Sequence, residues 1–313
     1  MTEYPEKSWS FSKDKLLSSC PKAYYFSKFL MWGGWFFDAP ERKRKAYLLT
    51  KLTTIEQFLG SLIHDYIANN ISSLKTKDLN SAIFYIGNKF NNAIYSSYNL
   101  KKEWEMNPKN FIMFHSIYYN TRNVFKNNLG YEIKTKTQNI LKNYFNSKTL
   151  KDVEQGVRII EIDKEQNYTN FYVKNYKIYS IVDFMYEKDN IIYIVDWKTG
   201  KKSKDDEFQL KLYALYAYKN YNIDLENTIL VNEYLLNGKR EERTFPKESI
   251  LEVEKYICNR IDIMEHYLLD KEKNIPKNEK YFLAKPSNYN CKWCNFKEIC
   301  EAYKENFLCK SRE

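Results

Sequence analysis

A chain of 313 residues, 43% apolar and 29% charged, is long enough for about two compact domains or one domain with large insertions, and its composition excludes a wholly disordered protein. Glycine is scarce at eight residues, and neither G-x-x-x-x-G-K-[ST] nor G-x-G-x-x-G occurs, which excludes a built-in P-loop motor and a Rossmann dinucleotide site. Fifty Lys+Arg against 40 Asp+Glu leave a formal charge of +10, which favours a polyanionic partner such as nucleic acid, although AT-rich coding sequence also yields lysine-rich chains.

Residues 1–8 show no cationic stretch followed by an apolar run, and no segment reaches the ~18 apolar residues of a membrane span, so a cytoplasmic location is expected. In that reducing compartment six cysteines point to metal ligation or buried thiols before disulfides. Ser12 is positioned to cap a helix over 13–19, and Pro21 suits the first turn of the next, with Cys20 at their junction. Apolar residues then recur at Ile55, Phe58, Leu59, Leu62, Ile63, Tyr66 and Ile67, a helical stripe. The segment 75–148 keeps a polar helical pattern and reads as a helical insertion. Beyond Val153, residues 157–162, 171–174, 177–187 and 191–198 are β-branched and aromatic, which predicts a strand meander. An amphipathic helix over 205–221, strands at 229–236 and 241–245, and a long helix over 248–271 precede a loop-rich tail after Pro276. The expected division is 1–74, the helical part of a core; 75–150, the insertion; 151–275, the strand-rich remainder of that core; and 276–313, a cysteine-rich tail.

The hairpin Ile181-Val-Asp-Phe-Met-Tyr-Glu-Lys-Asp-Asn-Ile-Ile-Tyr-Ile-Val-Asp-Trp-Lys-Thr-Gly200 carries charges where an apolar strand face should continue. Ile192, Ile194, Asp196 and Lys198 share one face and Trp197 the other. If Asp189 and Asn190 form a two-residue turn, Asp183 falls opposite Asp196. Two carboxylates with Cβ atoms ~4.5–5.5 Å apart repel unless a cation sits between them, and hard oxygen ligands suit Mg²⁺ or Mn²⁺. Lys198 beside them could orient a nucleophile and offset charge building at phosphorus; a plain cross-strand Asp/Lys salt bridge is the competing reading. Gln209 and Tyr213, four apart, share a face of the following helix, within reach of a phosphate or of the lysine. Gly60 stands one helical turn before His64, letting backbone or substrate approach the imidazole. His115 and His266 read as structural.

The combination of Gly-x-x-x-His64, Asp183, Asp196-Trp-Lys198 and Gln209-x-x-x-Tyr213 resembles the RecB-like branch of the PD-(D/E)XK nuclease superfamily, over residues 60–65 and 153–221. The resemblance implies an α/β core, a mixed central sheet flanked by helices. It also implies that His64, Asp183, Asp196 and the Trp197 carbonyl bind the divalent ion, that Lys198 positions the attacking water, and that Gln209 and Tyr213 support the site and the DNA. Glu154 resembles a further acidic position of such cores; a solvated glutamate fits it equally.

In the tail, Cys291-Lys-Trp-Cys294 and Cys300 give C-x2-C-x5-C, spaced for one metal centre that needs a fourth ligand. RecB-like nucleases with an iron-sulfur staple, including AddB-type and CRISPR-associated exonucleases, pair one early cysteine with three late ones. The likeness implies a 4Fe-4S cluster on Cys20, Cys291, Cys294 and Cys300, with zinc as the alternative metal and Cys309 as the alternative fourth ligand. Cys258 reads as a small buried hydrophobe.

The expected function is a Mg²⁺- or Mn²⁺-dependent DNA exonuclease acting on single strands or ends, in recombination or repair, phage replication or defence, with any helicase supplied by a partner. A non-catalytic DNA-binding or assembly subunit of a nuclease-helicase complex, and a zinc-ribbon adaptor, are the other readings. Lys101, Lys102, Lys126, Lys134, Lys136 and Lys142 of the insertion are candidates to follow phosphates while Trp104, Phe111, Tyr118 and Tyr119 stack on bases, unless those rings are the core of a small bundle.

Overall fold

The computed structural model describes residues 3–72, 78–121, 128–163 and 168–308; Lys126 and Cys309 lie outside them. Its strands are β1 (Ser8–Trp9), β2 (Leu52–Thr53), β3 (Met113–Phe114), β4 (Arg158–Ile162), β5 (Asn170–Val173), β6 (Tyr176–Tyr179), β7 (Phe184–Lys188), β8 (Ile191–Lys198), β9 (Thr228–Tyr234), β10 (Lys239–Arg243), β11 (Leu268–Asp270) and β12 (Ile275–Pro276).

A five-stranded sheet of order β10-β9-β8-β7-β4 forms the centre. Asp189 and Asn190 join β7 to β8 at φ of 54° and 62°, the doubly left-handed turn whose twist matches flanking strands. That turn sets the expected register, from Lys188 opposite Ile191 to Phe184 opposite Val195. The β8–β9 pair is parallel and needs a crossover, which the helix Asp206–Tyr221 supplies. Alternation then divides the sheet between two cores. Met185, Ile194 and Leu230 pack on Leu210 and Ala214 of that helix and on Ile257 of Lys247–Glu265. Phe184, Tyr186, Val195, Trp197 and Val231 pack on the other side beneath the helices Ile55–Asn70, Leu79–Asn99 and Leu129–Phe145. Each fully buried side chain of this kind contributes roughly 1.5–3 kcal/mol. The result is the mixed α/β architecture expected from the sequence.

Several local expectations are corrected. Ser10, not Ser12, accepts from Lys13 N and caps the first helix, Phe11–Ser19. Residues 177–187 are two strands, because the chain leaves one sheet at Tyr179 and enters another at Phe184: β6 pairs with β5 and β1, β7 with β4 and β8. The last long helix ends at Glu265, where β11 turns back onto β12. β1, β2 and β3, of two residues each, are too short for any periodicity to reveal. A third core under the tail takes Trp104, fully buried, and packs Phe111, Tyr118 and Tyr119 at its edge. The Tyr118 hydroxyl donates to Glu298 and that of Tyr119 to the Asn295 carbonyl, both at 2.6 Å. These rings therefore anchor the tail and are not a stacking surface for bases.

Candidate active site and cysteine pocket

The hairpin register brings Asp183, just before β7, opposite Asp196 on β8, both buried. Asp183 Oδ2 accepts from Trp197 N at 2.8 Å and lies 3.4 Å from His64 Nδ1. Asp196 Oδ2 accepts from Asn232 Nδ2 at 2.8 Å and from Lys198 Nζ at 2.7 Å. Lys198 Nζ also donates to Gln209 Oε1 at 2.6 Å, and Gln209 Nε2 donates to the Tyr213 hydroxyl at 2.6 Å. Asp206 Oδ1 stands 3.6 Å from the same ammonium. His64, Asp183, Asp196, Lys198, Gln209 and Tyr213 thus form one connected set from four stretches of chain that the sheet and two helices bring together.

His64 owes its place to a capping box in which Gln57 N donates to Thr54 Oγ1 at 3.1 Å and Thr54 N to Gln57 Oε1 at 3.2 Å, fixing the start of Ile55–Asn70. Gly60 lets that helix meet the loop after β8, since a Cβ there would stand 3.1 Å from Thr199 Oγ1. The glycine therefore serves a backbone approach between the two halves of the site. Trp197, on the opposite face, stacks on Phe184 at 5.7 Å, and its Nε1 donates to Glu233 at 3.0 Å.

Burial raises the Asp196 pKa to about 7, reinforced by the Asp183 charge and opposed by Lys198 and His64. Burial works against the imidazolium of His64, but Asp183 and then Asp196 outweigh it and lift its pKa to about 9. Burial likewise opposes the Lys198 charge, and Asp196 overcomes it, so the ammonium is held above its ordinary range. The Tyr213 hydroxyl is pushed well up by burial and the two aspartates, which keeps it neutral.

Sequence reasoning missed Asn232, Arg243, Asp206 and Asp163. Asn232 stands beside Asp196 in the parallel register, fully buried, and its Oδ1 accepts from Arg243 Nη1 at 2.9 Å. An asparagine inside the apolar run Ile229-Leu-Val-Asn232 was the available signal. Asp163 N donates to the Asp183 carbonyl at 3.1 Å, and burial followed by the Asp183 charge lifts the Asp163 carboxyl to about 6. It is the extra acid beside the site; Glu154 is exposed on Lys148–Gln155 and acts electrostatically on Tyr144.

Two buried, mutually repelling carboxylates with an imidazole nitrogen beside them are the donor chemistry of a small divalent cation. Among the described residues no three His, Cys, Asp or Glu groups are already drawn round one point as a metal site. Lys198 and His64 balance the acids instead.

Cys20, Cys291, Cys294 and Cys300 line one cavity of about 580 Å³, which also reaches Thr54 and Gln57 at the start of the His64 helix. All four are free thiols. Burial pushes Cys294 up to about 12, with Cys20, Cys291 and Cys300 adding to the shift, while Phe296 N donates to its sulfur at 3.4 Å and opposes it. Around the pocket, Asn290 Nδ2 donates to the Ser19 carbonyl at 3.1 Å, His115 Nε2 to that of Cys294 at 3.2 Å, and Arg42 clasps Glu279 with two bonds of 2.7 Å. Cys258, half-buried, packs against the first core, away from the four.

A family model described as the PD-(D/E)XK nuclease superfamily matches residues 8–301. The chain belongs to the PD-(D/E)XK nuclease superfamily. Membership implies a metal-dependent nuclease with a DNA substrate, and the mixed sheet with its two buried aspartates agrees with it. No curated protein matches the chain. No described helix is long and apolar enough to cross a membrane.

Proposed function

We propose that this PD-(D/E)XK protein is a RecB-like, Mg²⁺- or Mn²⁺-dependent exonuclease that hydrolyses DNA phosphodiesters from single strands or ends. The observation that carries the reading is the unbroken chain from Asp196 through Lys198 and Gln209 to Tyr213, set beside Asp183 and His64. Asp183, Asp196, His64 and the Trp197 carbonyl would hold the ion. When bound, it supplies Lewis-acid stabilisation at phosphorus and a more acidic water. Lys198, kept protonated by Asp196, is a poor base. It orients the attacking water and offsets charge on the phosphoryl oxygens. Gln209 holds the Lys198 ammonium toward Asp196, and Tyr213, neutral and buried, fixes the glutamine. Asn232 keeps Asp196 oriented.

The second part of the proposal is a 4Fe-4S cluster on Cys20, Cys291, Cys294 and Cys300. Four thiols bordering one cavity, one of them accepting a backbone N–H bond, are suitable soft ligands, and the one-plus-three spacing supports iron-sulfur over zinc. The cluster would staple the tail to the N-terminal helices, with 75–150 as an insertion between the core parts 1–74 and 151–275 and the tail 276–313. A cytoplasmic place in recombination, repair, phage replication or defence, with a separate helicase feeding strands, completes the reading. The deciding experiment is anaerobic purification followed by a Mn²⁺ assay on end-labelled linear and circular DNA. Brown, iron-containing protein that digests linear but not closed circular DNA is the expected result. Cleavage of both at one rate makes it an endonuclease, and binding without cleavage makes it an assembly subunit.

A further inference from the structure

We infer that the segment Trp35 to Lys51, with Lys109, is a platform for single-stranded DNA that leads toward His64; this rests on the nuclease reading and names where its substrate is held. Four observations carry it. Phe36 and Phe37 are 44% and 95% exposed, well beyond what a core-facing turn would leave. The turn that presents them is firmly built: Trp35 packs on Trp32 at 5.0 Å and on Tyr47 at 5.7 Å, and Phe36 lies 5.6 Å from Trp35. Gly34 sits so close to the helix Glu41–Leu49 that a Cβ would come within 2.3 Å of the Lys43 carbonyl. The aromatic pair is therefore held out from a fixed base, which lowers the ordering cost of stacking on a flexible strand.

The third observation is how the basic run divides. Arg42 and Lys45 turn toward the tail, where Glu279 and Glu298 take their charges. Lys43, Arg44, Lys51 and Lys109 pair with no carboxylate among the described residues. Lys51 Nζ lies 5.2 Å from the centre of the Tyr47 ring, and the Lys109 charge adds to burial in lowering the Lys51 pKa, so these two ammonium groups share one field. Asp38 and Glu41 are the only acids of the segment. Unanswered cations following exposed rings on a firmly built turn are the recognition chemistry of single-stranded nucleic acid, where bases stack and phosphates are followed.

The fourth observation is position. Lys51 runs through Leu52–Thr53 into the cap of Ile55–Asn70, and His64 follows Ile55 by nine residues. At 1.5 Å per residue the catalytic histidine is about 14 Å along that helix. A strand lying on the platform is thus within a few nucleotides of the carboxylates.

The test measures binding of a fluorescent twenty-residue oligothymidylate to the full chain in EDTA, by anisotropy across a salt series, with melting temperatures certifying that the variants fold. Phe36→Ala with Phe37→Ala should weaken binding by about tenfold or more, the scale of one or two lost stacking contacts. Lys43→Gln, Arg44→Gln, Lys51→Gln and Lys109→Gln together should flatten the log–log salt slope by about 2.8, from 0.7 for each lost phosphate contact. A 5-iododeoxyuridine oligonucleotide should photo-cross-link to the peptide carrying Phe36 and Phe37. Wild-type affinity and slope in both variants overturn the platform, as does tighter binding of phosphatidylserine vesicles or an acidic peptide at the same residues. A wild type that binds through these residues but leaves end-labelled DNA uncut with Mn²⁺ retires the nuclease reading and not the platform.

Discussion

At the carboxylate centre, Asp183 and Asp196 are answered from within the chain by the Trp197 N–H, Asn232, Lys198 and His64. At the cysteine pocket, burial raises the pKa of Cys294 and Cys300, and the neighbouring sulfurs reinforce the shift in both. The first region balances its own charge and so forms before any ion arrives. The second brings thiols from both ends of the chain around a cavity, and on the proposed reading a cluster bound by them would hold the tail in place. Substitution in the first should therefore remove chemistry and spare the fold. Substitution in the second should weaken the fold itself.

The largest expected effect is on Asp183→Asn, which keeps the oxygen that accepts from Trp197 N but loses the charge. Cleavage should fall at least about a thousandfold, roughly 4 kcal/mol. The melting temperature in EDTA should hold or rise, because repulsion with Asp196 is gone. Retained turnover would remove Asp183 from the ligand set; a collapse of the fold would erase the contrast between the regions.

Cys291→Ser or Cys294→Ser should destabilise by about 2–5 kcal/mol and lower the iron content. A cluster joining Cys20 to Cys291 closes a loop of 271 residues (291 − 20), and cross-links over long loops act on that scale. Colourless, zinc-loaded wild-type protein would replace the cluster with a zinc site. A stable, fully active Cys294→Ser variant would show that the tail's hydrogen bonds with Ser19, Leu52 and Arg42 suffice alone.

Asn232→Ala comes next. It withdraws the Nδ2 donor from Asp196 and leaves Arg243 without its acceptor there, so turnover should drop about 10–100-fold. The acid limb of the pH–rate profile should move upward, because a carboxylate that loses a donor is harder to ionise. An unshifted limb would make Asn232 a packing residue.

Much of the centre was legible because its cause is local. A two-residue Asp-Asn turn and a period of two determine that Asp183 faces Asp196 and that Trp197 faces away, and both appear as the pattern implied. Asn232 was legible only as a polar break in an apolar run, since it reaches Asp196 through a parallel pairing whose register no turn sets. Trp104, Tyr118 and Tyr119 misled for a related reason. Helical spacing marks an aromatic face but says nothing of what covers it, and here the cover is the tail, nearly 180 residues downstream: the Tyr118–Glu298 bond spans 180 positions.

The smallest effect, and the sharpest probe of how the carboxylate centre balances itself, is the pH dependence of metal stabilisation. Asp196 is raised from 3.8 to about 7 in the folded protein, so its proton favours the fold below 3.8, and that advantage is lost as pH climbs through 7. His64 is raised from 6.5 to about 9, so its contribution is complete below 6.5 and lost as pH rises through 9. Both groups therefore make the metal-free protein less stable on going from pH 6 to pH 8.5. A divalent ion binds the deprotonated forms and competes with those same protons, so its stabilisation grows over the same interval. The rise in melting temperature on replacing EDTA with Mg²⁺ should be larger at pH 8.5 than at pH 6. In Asp183→Asn, where His64 loses its main charged partner and Asp196 its main repulsion, the difference between the two pH values should shrink. An equal Mg²⁺ shift at both pH values in the wild type would mean that the ion binds without displacing these protons, and that His64 and Asp196 are not its ligands.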